Sequence, residues 1–377
     1  MTIYVDVSAA VHGKAGLARY AESLVRALEP VLGERLGLFQ NSLGSRASLE
    51  GLEAQPTAGV GYGYKPWRAL VLAGQTVRCS MSKLIPDAEL FHATEHLLPP
   101  MGKVPTVLTV HDLIFERYPE YHKRANYLYL RAAMPLYCRR ASAIIAISQS
   151  TKADINALYG IPEPKIHVIA EAAAPGFVPQ SPERISDVRA RYGLPARYIL
   201  AVGTLEPRKN LSRLIDACGP LFDHGIVDAL VLVGSRGWLV EEFDSHLAAS
   251  PWREKIILPG FVQEADLPAV YAGATVTAQP SLYEGFGLPV LEAMACGSPV
   301  CSSSTSSLPE VGGEAAHYFD PTDVEDMSTA LARVAGDDEL RQQMSEAGVA
   351  RAAAFSWERT ARETLALYER TIGSEST

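Results

Sequence analysis

Cysteine is scarce. Cys79, Cys138, Cys218, Cys296 and Cys301 are odd in number, and no two stand in Cys-x-x-Cys spacing. That excludes a disulfide framework and fits buried free thiols in a reducing compartment. Long apolar runs are also missing; none approaches the ~20 residues of a bilayer span. Positive charge is in deficit, with 34 Lys and Arg against 43 Asp and Glu and a net charge of −9. A chain so balanced lacks the basic face that broad nucleic-acid binding needs, so no nucleic-acid partner is expected. Met1 runs directly into the strand pattern Thr2 to Val7, with no leader pattern before it, and the expectation is a cytoplasmic protein.

What is there is an ordinary globular composition, 47% hydrophobic and 20% charged, over a length that suits two domains. Strand-like apolar runs at Tyr4–Val7, Val104–Val110, Ala143–Ile147, Tyr198–Gly203, Leu230–Gly234, Ile256–Leu258 and Thr275–Ala278 alternate with helical stretches. Alternation of this kind predicts parallel sheets with ligands beyond the C-terminal ends of the strands. The segment from Glu171 to about Pro195 carries Pro175, Pro179, Pro182 and Pro195 and is read as the linker.

The most informative stretch is 284–292, Glu-Gly-Phe-Gly-Leu-Pro-Val-Leu-Glu. Gly285-Phe286-Gly287 is a turn, and Pro289 suits the start of a helix that stops at Gly297. Amides of Phe286, Gly287 and Leu288 would sit at that helix N-terminus, where an anion is favoured. Glu284 precedes the amides, and Glu292 is expected on the first turn after them. A diphosphate with a sugar on each side fits this arrangement. Glu284 would take hydroxyls of a transferred sugar and Glu292 a ribose diol.

The pattern Glu-x-Phe-Gly-x-x-x-x-Glu resembles the E-x7-E motif of the retaining GT-B glycosyltransferases of family 4. The resemblance runs over essentially the whole chain, with the motifs in family order. It implies an α/β fold of two Rossmann-like domains facing across a cleft, with a C-terminal helix crossing back to the first. The corresponding bounds are 1–172 for an acceptor-binding domain, 173–356 for a nucleotide-sugar-binding domain and 357–377 for the returning helix. It implies a nucleotide-sugar donor, a saccharide or lipid-linked saccharide acceptor, and transfer without metal or other cofactor. Residues Gly16 to Tyr20 are similar to the family's Gly-x-Gly-Arg-Tyr, with Ala18 in place of the second glycine. Residues 201–210, Ala-Val-Gly-Thr-Leu-Glu-Pro-Arg-Lys-Asn, put Thr204 where many members have Arg, so Arg208 and Lys209 are both taken as leaving-group cations.

By the same resemblance, His111 would meet the transferred sugar through its carbonyl and imidazole, while Asp112 would hold a loop or the acceptor side. Phe261 and Val262 would meet the base, and Ser235 would line the same site. Thr305 onward, in the run Ser302–Ser307, would touch the phosphate side. His92 and His96 have i, i+4 spacing, but Pro99-Pro100 follows and the metal-helix reading fails. Lys123, Arg124, Arg131, Arg139 and Arg140, interleaved with Tyr127, Tyr129 and Tyr137, make a basic aromatic helix. It reads as a solvated face, or alternatively as a peripheral contact with the inner membrane face.

The stretch His111–His122 looks most like bacterial mannosyltransferases of surface polysaccharide assembly, which points to GDP-mannose. A UDP-sugar enzyme, a GT-B epimerase or phosphorylase, and a non-catalytic sugar-nucleotide binding module stay open as alternatives.

Overall fold

A computed structural model describes residues 2–13, 15–42, 49–260 and 262–374. The chain divides into two compact units, Met1–Glu171 with Ser356–Thr377, and Ala172–Phe355.

In the first unit the strands are β1 (Thr2–Asp6), β2 (Leu36–Asn41), β3 (Thr57–Val60), β4 (Ala88–Ala93), β5 (Thr106–Val110), β6 (Ala143–Ala146) and β7 (Ile166–Val168). They form one sheet in the order β3-β2-β1-β4-β5-β6-β7, and every pairing is parallel. β1, β5 and β6 are buried at every position, which explains why none of them alternates apolar and polar residues; a strand covered on both faces has no solvent side.

The second unit repeats the plan with β8 (Tyr198–Val202), β9 (Ala229–Val233), β10 (Ile256–Ile257), β11 (Val276–Gln279), β12 (Val300–Ser303) and β13 (Ala316–Phe319). Their order is β10-β9-β8-β11-β12-β13, again all parallel. In both sheets the strand order reverses beside the unit's first strand, between β1 and β4 and between β8 and β11. Ligands of open parallel sheets bind at such reversals.

The helix Trp357–Ser374 belongs to the first unit. Its Tyr368 hydroxyl lies 2.5 Å from Nδ1 of His92 on β4, and Thr360 Oγ1 donates to the carbonyl of Ala170 at 2.7 Å. Near its start, Trp357 meets the edge of Tyr20 with ring centroids 5.9 Å apart.

The expected linker needs correction. Its middle is the helix Pro182–Tyr192, part of the second unit. Ser181 caps it by accepting from the Arg184 N–H, Pro182 stands in its first turn, and Gly193 ends it at φ +65°. Proline in the first helical position starts a helix rather than breaking one. After β1 the chain makes a helical turn, Ser8–Val11, and the next helix runs Ala15–Leu32.

Candidate active site

The site in the second unit is built where β8 and β11 end side by side. β8 gives way to Gly203 at φ +148°, beside Gly234 at φ +152° after β9. A Cβ on Gly234 would stand 2.0 Å from the Gly203 carbonyl oxygen, so only glycine lets these two loops touch. The chain then makes a tight turn, Pro207–Lys209, closed by Asn210 in the left-handed region at φ 57°. Buried Asn210 donates from Nδ2 to the carbonyls of Pro280 and Pro321, and the Leu282 N–H donates to the Arg208 carbonyl at 2.9 Å. The cation turn is thereby fastened to the loop that follows β11.

Glu284 is where that fastening matters. Arg208 Nη1 lies 2.6 Å from its Oε2, and Lys209 Nζ lies 2.5 Å from its Oε1. Oε1 also accepts from Gln279 Nε2 at 2.8 Å and from Ser281 Oγ at 2.7 Å. Arg208 Nε makes a second ion pair, 2.6 Å from Glu206 Oε1. Burial raises the Glu284 pKa, but the charges of Arg208 and Lys209 and the hydrogen bonds outweigh it and hold the carboxyl at about 2. Burial pulls the Lys209 ammonium below its ordinary range while the Glu284 charge opposes this; at 2.5 Å the ion pair is the form the geometry holds. The sequence motifs treated Glu284 and the Arg208-Lys209 pair separately; in the fold they are one charged cluster.

The loop from Glu284 to the helix Leu288–Ala295 is held by hydroxyls from beyond β12. Ser307 Oγ lies 2.9 Å from the Glu284 carbonyl and 2.7 Å from that of Phe286. Ser306 Oγ accepts from the Glu284 N–H at 2.9 Å, Thr305 Oγ1 donates to the Leu282 carbonyl at 3.0 Å, and Ser303 Oγ to that of Ser281 at 2.7 Å. The serine run is therefore a clamp on the loop, a role its sequence did not announce. Gly287 caps the helix at φ +113°, where a Cβ would lie 2.7 Å from Leu308 Cδ2. The N–H groups of Val290 and Leu291 turn back to the Gly287 carbonyl and Pro289 has none, so Gly287 and Leu288 carry the amides at this helix end.

Glu292 requires a correction. The helix begins at Leu288, so Glu292 is its fifth residue and the first turn carries no acid. It is buried, and its Oε2 accepts from the Tyr271 hydroxyl at 2.9 Å. Ser235 is exposed after β9, and its carbonyl accepts from the Leu205 N–H at 2.9 Å. Val262 is buried, whereas Phe261 lies outside the described residues.

In the first unit Gly16 stands in the opening turn of Ala15–Leu32, with open space where a Cβ would be. His111 stands directly after β5. Its imidazole is buried, with Nδ1 3.1 Å from Glu171 Oε1 and Nε2 2.8 Å from the Thr94 carbonyl oxygen. Both ring nitrogens are thus engaged inside the unit. Asp112 accepts from the Ile114 N–H at 3.1 Å and so holds its loop.

His92 and His96 do not form a metal pair. The His92 nitrogens meet Tyr368 and Thr109 hydroxyls, and His96 Nε2 accepts the His111 N–H at 3.2 Å. Burial lowers His92 to about 3 and His96 to about 4.

In the helix Arg124–Arg140 the residues Leu130, Ala133, Met134, Tyr137 and Cys138 face the core, and Arg131, Arg139 and Arg140 are exposed. Among the described residues no helix is long and apolar enough to cross a membrane.

Gln279, Ser281, Asn210, Glu206, Tyr271 and Glu171 are the site-forming residues that sequence reasoning passed over. Asn210 was within reach of it, since an Asn directly before an amphipathic helix is a capping signal and tolerates a left-handed backbone. Gln279, Ser281 and Glu206 stand within five residues of their partners in side-chain contacts that no pattern marks, and Tyr271 and Glu171 reach partners 21 and 60 residues away.

Comparison with known proteins agrees with this architecture. The profile for Glycosyl transferases group 1 matches residues 187–351, and that for Glycosyltransferase Family 4 matches residues 15–172. The O-antigen chain mannosyltransferase B of Escherichia coli is 35% identical over 265 residues, 70% of each chain. The serotype-specific mannosyltransferase WbdA of Escherichia coli is 33% identical over 290 residues, covering 73% of this chain and 35% of that protein, so the chain spans about a third of WbdA. Among solved structures, sucrose-phosphate synthase from Thermosynechococcus elongatus superposes with a TM-score of 0.78 at 20% identity, covering 99% of this chain and 100% of that one. Anabaena HepE in complex with UDP and glucose superposes with a TM-score of 0.74 at 19% identity, covering 98% and 99%.

Two Rossmann-like units, with a cation and carboxylate cluster at the reversal of the second sheet, define a glycosyltransferase of the GT-B fold. The chain belongs to the family 4 glycosyltransferases.

Proposed function

We propose that this glycosyltransferase moves mannose from GDP-mannose to a saccharide or lipid-linked saccharide acceptor, with retention of the anomeric configuration and without a metal ion. The observation that carries the reading is the Arg208–Lys209–Glu284 cluster beside the amides of Gly287 and Leu288. A diphosphate leaving group gains negative charge as the glycosidic bond breaks. Buried cations and helix-end amides stabilise that charge most in the transition state, which is the role a metal plays elsewhere.

Glu284 then serves twice. It holds the two cations in place, and its Oε2, which accepts from Arg208 Nη1 at 2.6 Å, can also accept from a sugar hydroxyl. Glu292 is proposed to accept from the ribose. The acceptor hydroxyl attacks the anomeric carbon on the face from which the phosphate departs, and the departing phosphate oxygen takes the hydroxyl proton. Mannose as the sugar rests on relatives whose names describe mannosyltransferases.

The test is a panel of GDP- and UDP-sugars read by thermal shift, followed by proton NMR of the product. GDP-mannose at about one hundred times its Kd should stabilise the protein by ~2.7 kcal/mol. The product's one-bond C1–H1 coupling should be that of an α-mannoside, since the H1–H2 coupling is small in both mannose anomers. A preference for a UDP-sugar would replace the donor, a β-glycoside from the α-donor would refute retention, and inactivation by a chelator would refute metal independence.

A further inference from the structure

We propose that Glu171 and the Thr94 carbonyl hold His111 as an imidazolium, which makes Glu171 a positioning residue for the transfer reaction. The argument is one of donors and acceptors. Nδ1 of His111 lies 3.1 Å from a Glu171 carboxylate oxygen, and Nε2 lies 2.8 Å from a backbone carbonyl oxygen. A carbonyl oxygen accepts and never donates, and an ionised carboxylate does the same. A neutral imidazole has a single N–H, so it can satisfy one of these oxygens and must turn a lone pair on the other. Two N–H groups satisfy both. The backbone N–H of His111 meanwhile donates to Nε2 of His96, which fixes that nitrogen as a bare acceptor and leaves His96 neutral.

The charged and titratable groups around His111 come from several elements. Glu171 follows β7, Asp112 follows β5, His92 ends near the close of β4 with His96 just beyond, and Tyr20 on Ala15–Leu32 presents its ring at 4.7 Å. Burial works against the charge on His111. Glu171, the Thr94 carbonyl and Asp112 work for it and prevail, so the imidazole pKa is raised.

Two consequences follow for the site. With both N–H groups committed, His111 neither takes the acceptor proton nor donates to a sugar hydroxyl, which agrees with a departing phosphate as proton acceptor. The second is a dependence on Glu171, since its loss frees Nδ1 and lets the ring become neutral and turn. The kinetic part of this inference rests on the proposed transfer reaction; the protonation state does not.

The test uses the full chain, ¹⁵N-labelled at histidine, with the His111 ring signals assigned by their loss in His111→Gln. Both His111 nitrogens should be protonated at pH 7 in the wild type. Glu171→Gln should lower the pH at which one is lost by about one unit or more, the size expected for removing a charged partner. Activity should share that alkaline limb: Glu171→Gln should lower kcat about fivefold or more at pH 8 with donor KM nearly unchanged, since the donor cluster is in the second unit, and Glu171→Asp should recover most of it. A single protonated nitrogen at pH 7 in the wild type overturns the proposal, as does an alkaline limb unmoved by Glu171→Gln. If that variant fails to fold, the wild-type spectrum alone decides. A chain inactive toward every donor would sink the proposed function while leaving the spectrum to judge His111.

Discussion

Replacing Glu284 with Gln puts the charged cluster to its sharpest test. The substitution keeps the shape and removes the charge that neutralises Arg208 and Lys209. A carboxyl held near 2 rather than at its ordinary 4.5 contributes ~3 kcal/mol at neutral pH, at 1.36 kcal/mol per unit. Breaking a buried ion pair from one side costs about 3–5 kcal/mol by an independent route. The lower figure is expected, because Arg208 retains Glu206 and because Lys209, already pulled down by burial, can shed its proton. For a unit of this size ~3 kcal/mol corresponds to a fall in Tm of about 6–12 °C by calorimetry.

The sign with pH is definite. Glu284 has a depressed pKa, so its contribution is complete above 4.5 and disappears as pH falls through 4.5 toward about 2. The variant should therefore converge on the wild type in acid. A free nucleoside diphosphate should still bind, because Arg208 keeps its charge and the helix-end amides remain, while turnover collapses. An unchanged Tm together with unchanged turnover would refute the reasoning, and a loss of free-diphosphate binding as large as the loss of turnover would remove the sugar-side role of Glu284.

Four further substitutions probe the rest of the site. Glu292→Gln should weaken donor and free nucleotide in parallel by ~1.5–3 kcal/mol, the worth of a charged hydrogen bond; unchanged affinity in titration calorimetry would count against a ribose contact. Arg208→Ala and Lys209→Ala should each lower kcat more than they raise donor KM, as steady-state kinetics would show, because leaving-group charge peaks in the transition state. Gly287→Ala places a methyl 2.7 Å from Leu308 at φ +113° and should lower thermal stability by ~2 kcal/mol or more, with donor affinity falling as the helix start shifts.

The parts of this molecule legible in the sequence are those written locally. Unbroken apolar strands such as Ala229–Val233, with helical stretches between them, announce parallel sheets, and Glu284-Gly-Phe-Gly announces a turn into a helix. Arg208 and Lys209 stand out as adjacent cations after a strand.

What was hidden depends on pairs far apart in the chain. Lys209 and Glu284 are 75 residues apart and His111 and Glu171 are 60 apart, and no periodicity joins them. The run Ser303 to Ser307, expected on the phosphate side from Thr305 onward, is laid by the fold against the carbonyls of 281–286, which its sequence does not announce. Pro182 misled because proline signals a break or a start according to its place relative to a cap, and Ser181 supplied the cap.

The first unit is interrupted in the chain: it is left at Glu171 and resumed only at Ser356. On the ribosome this sets an order of events. The second unit is one continuous stretch and can fold as it emerges. The first must wait, with His92 lacking Tyr368 and Tyr20 lacking Trp357, until the closing helix Trp357–Ser374 has been made. At roughly 5–20 residues per second that wait is on the order of ten to forty seconds. For that interval the first-made half of the enzyme is the unfinished half, and a nascent-chain chaperone would find its exposed surface there.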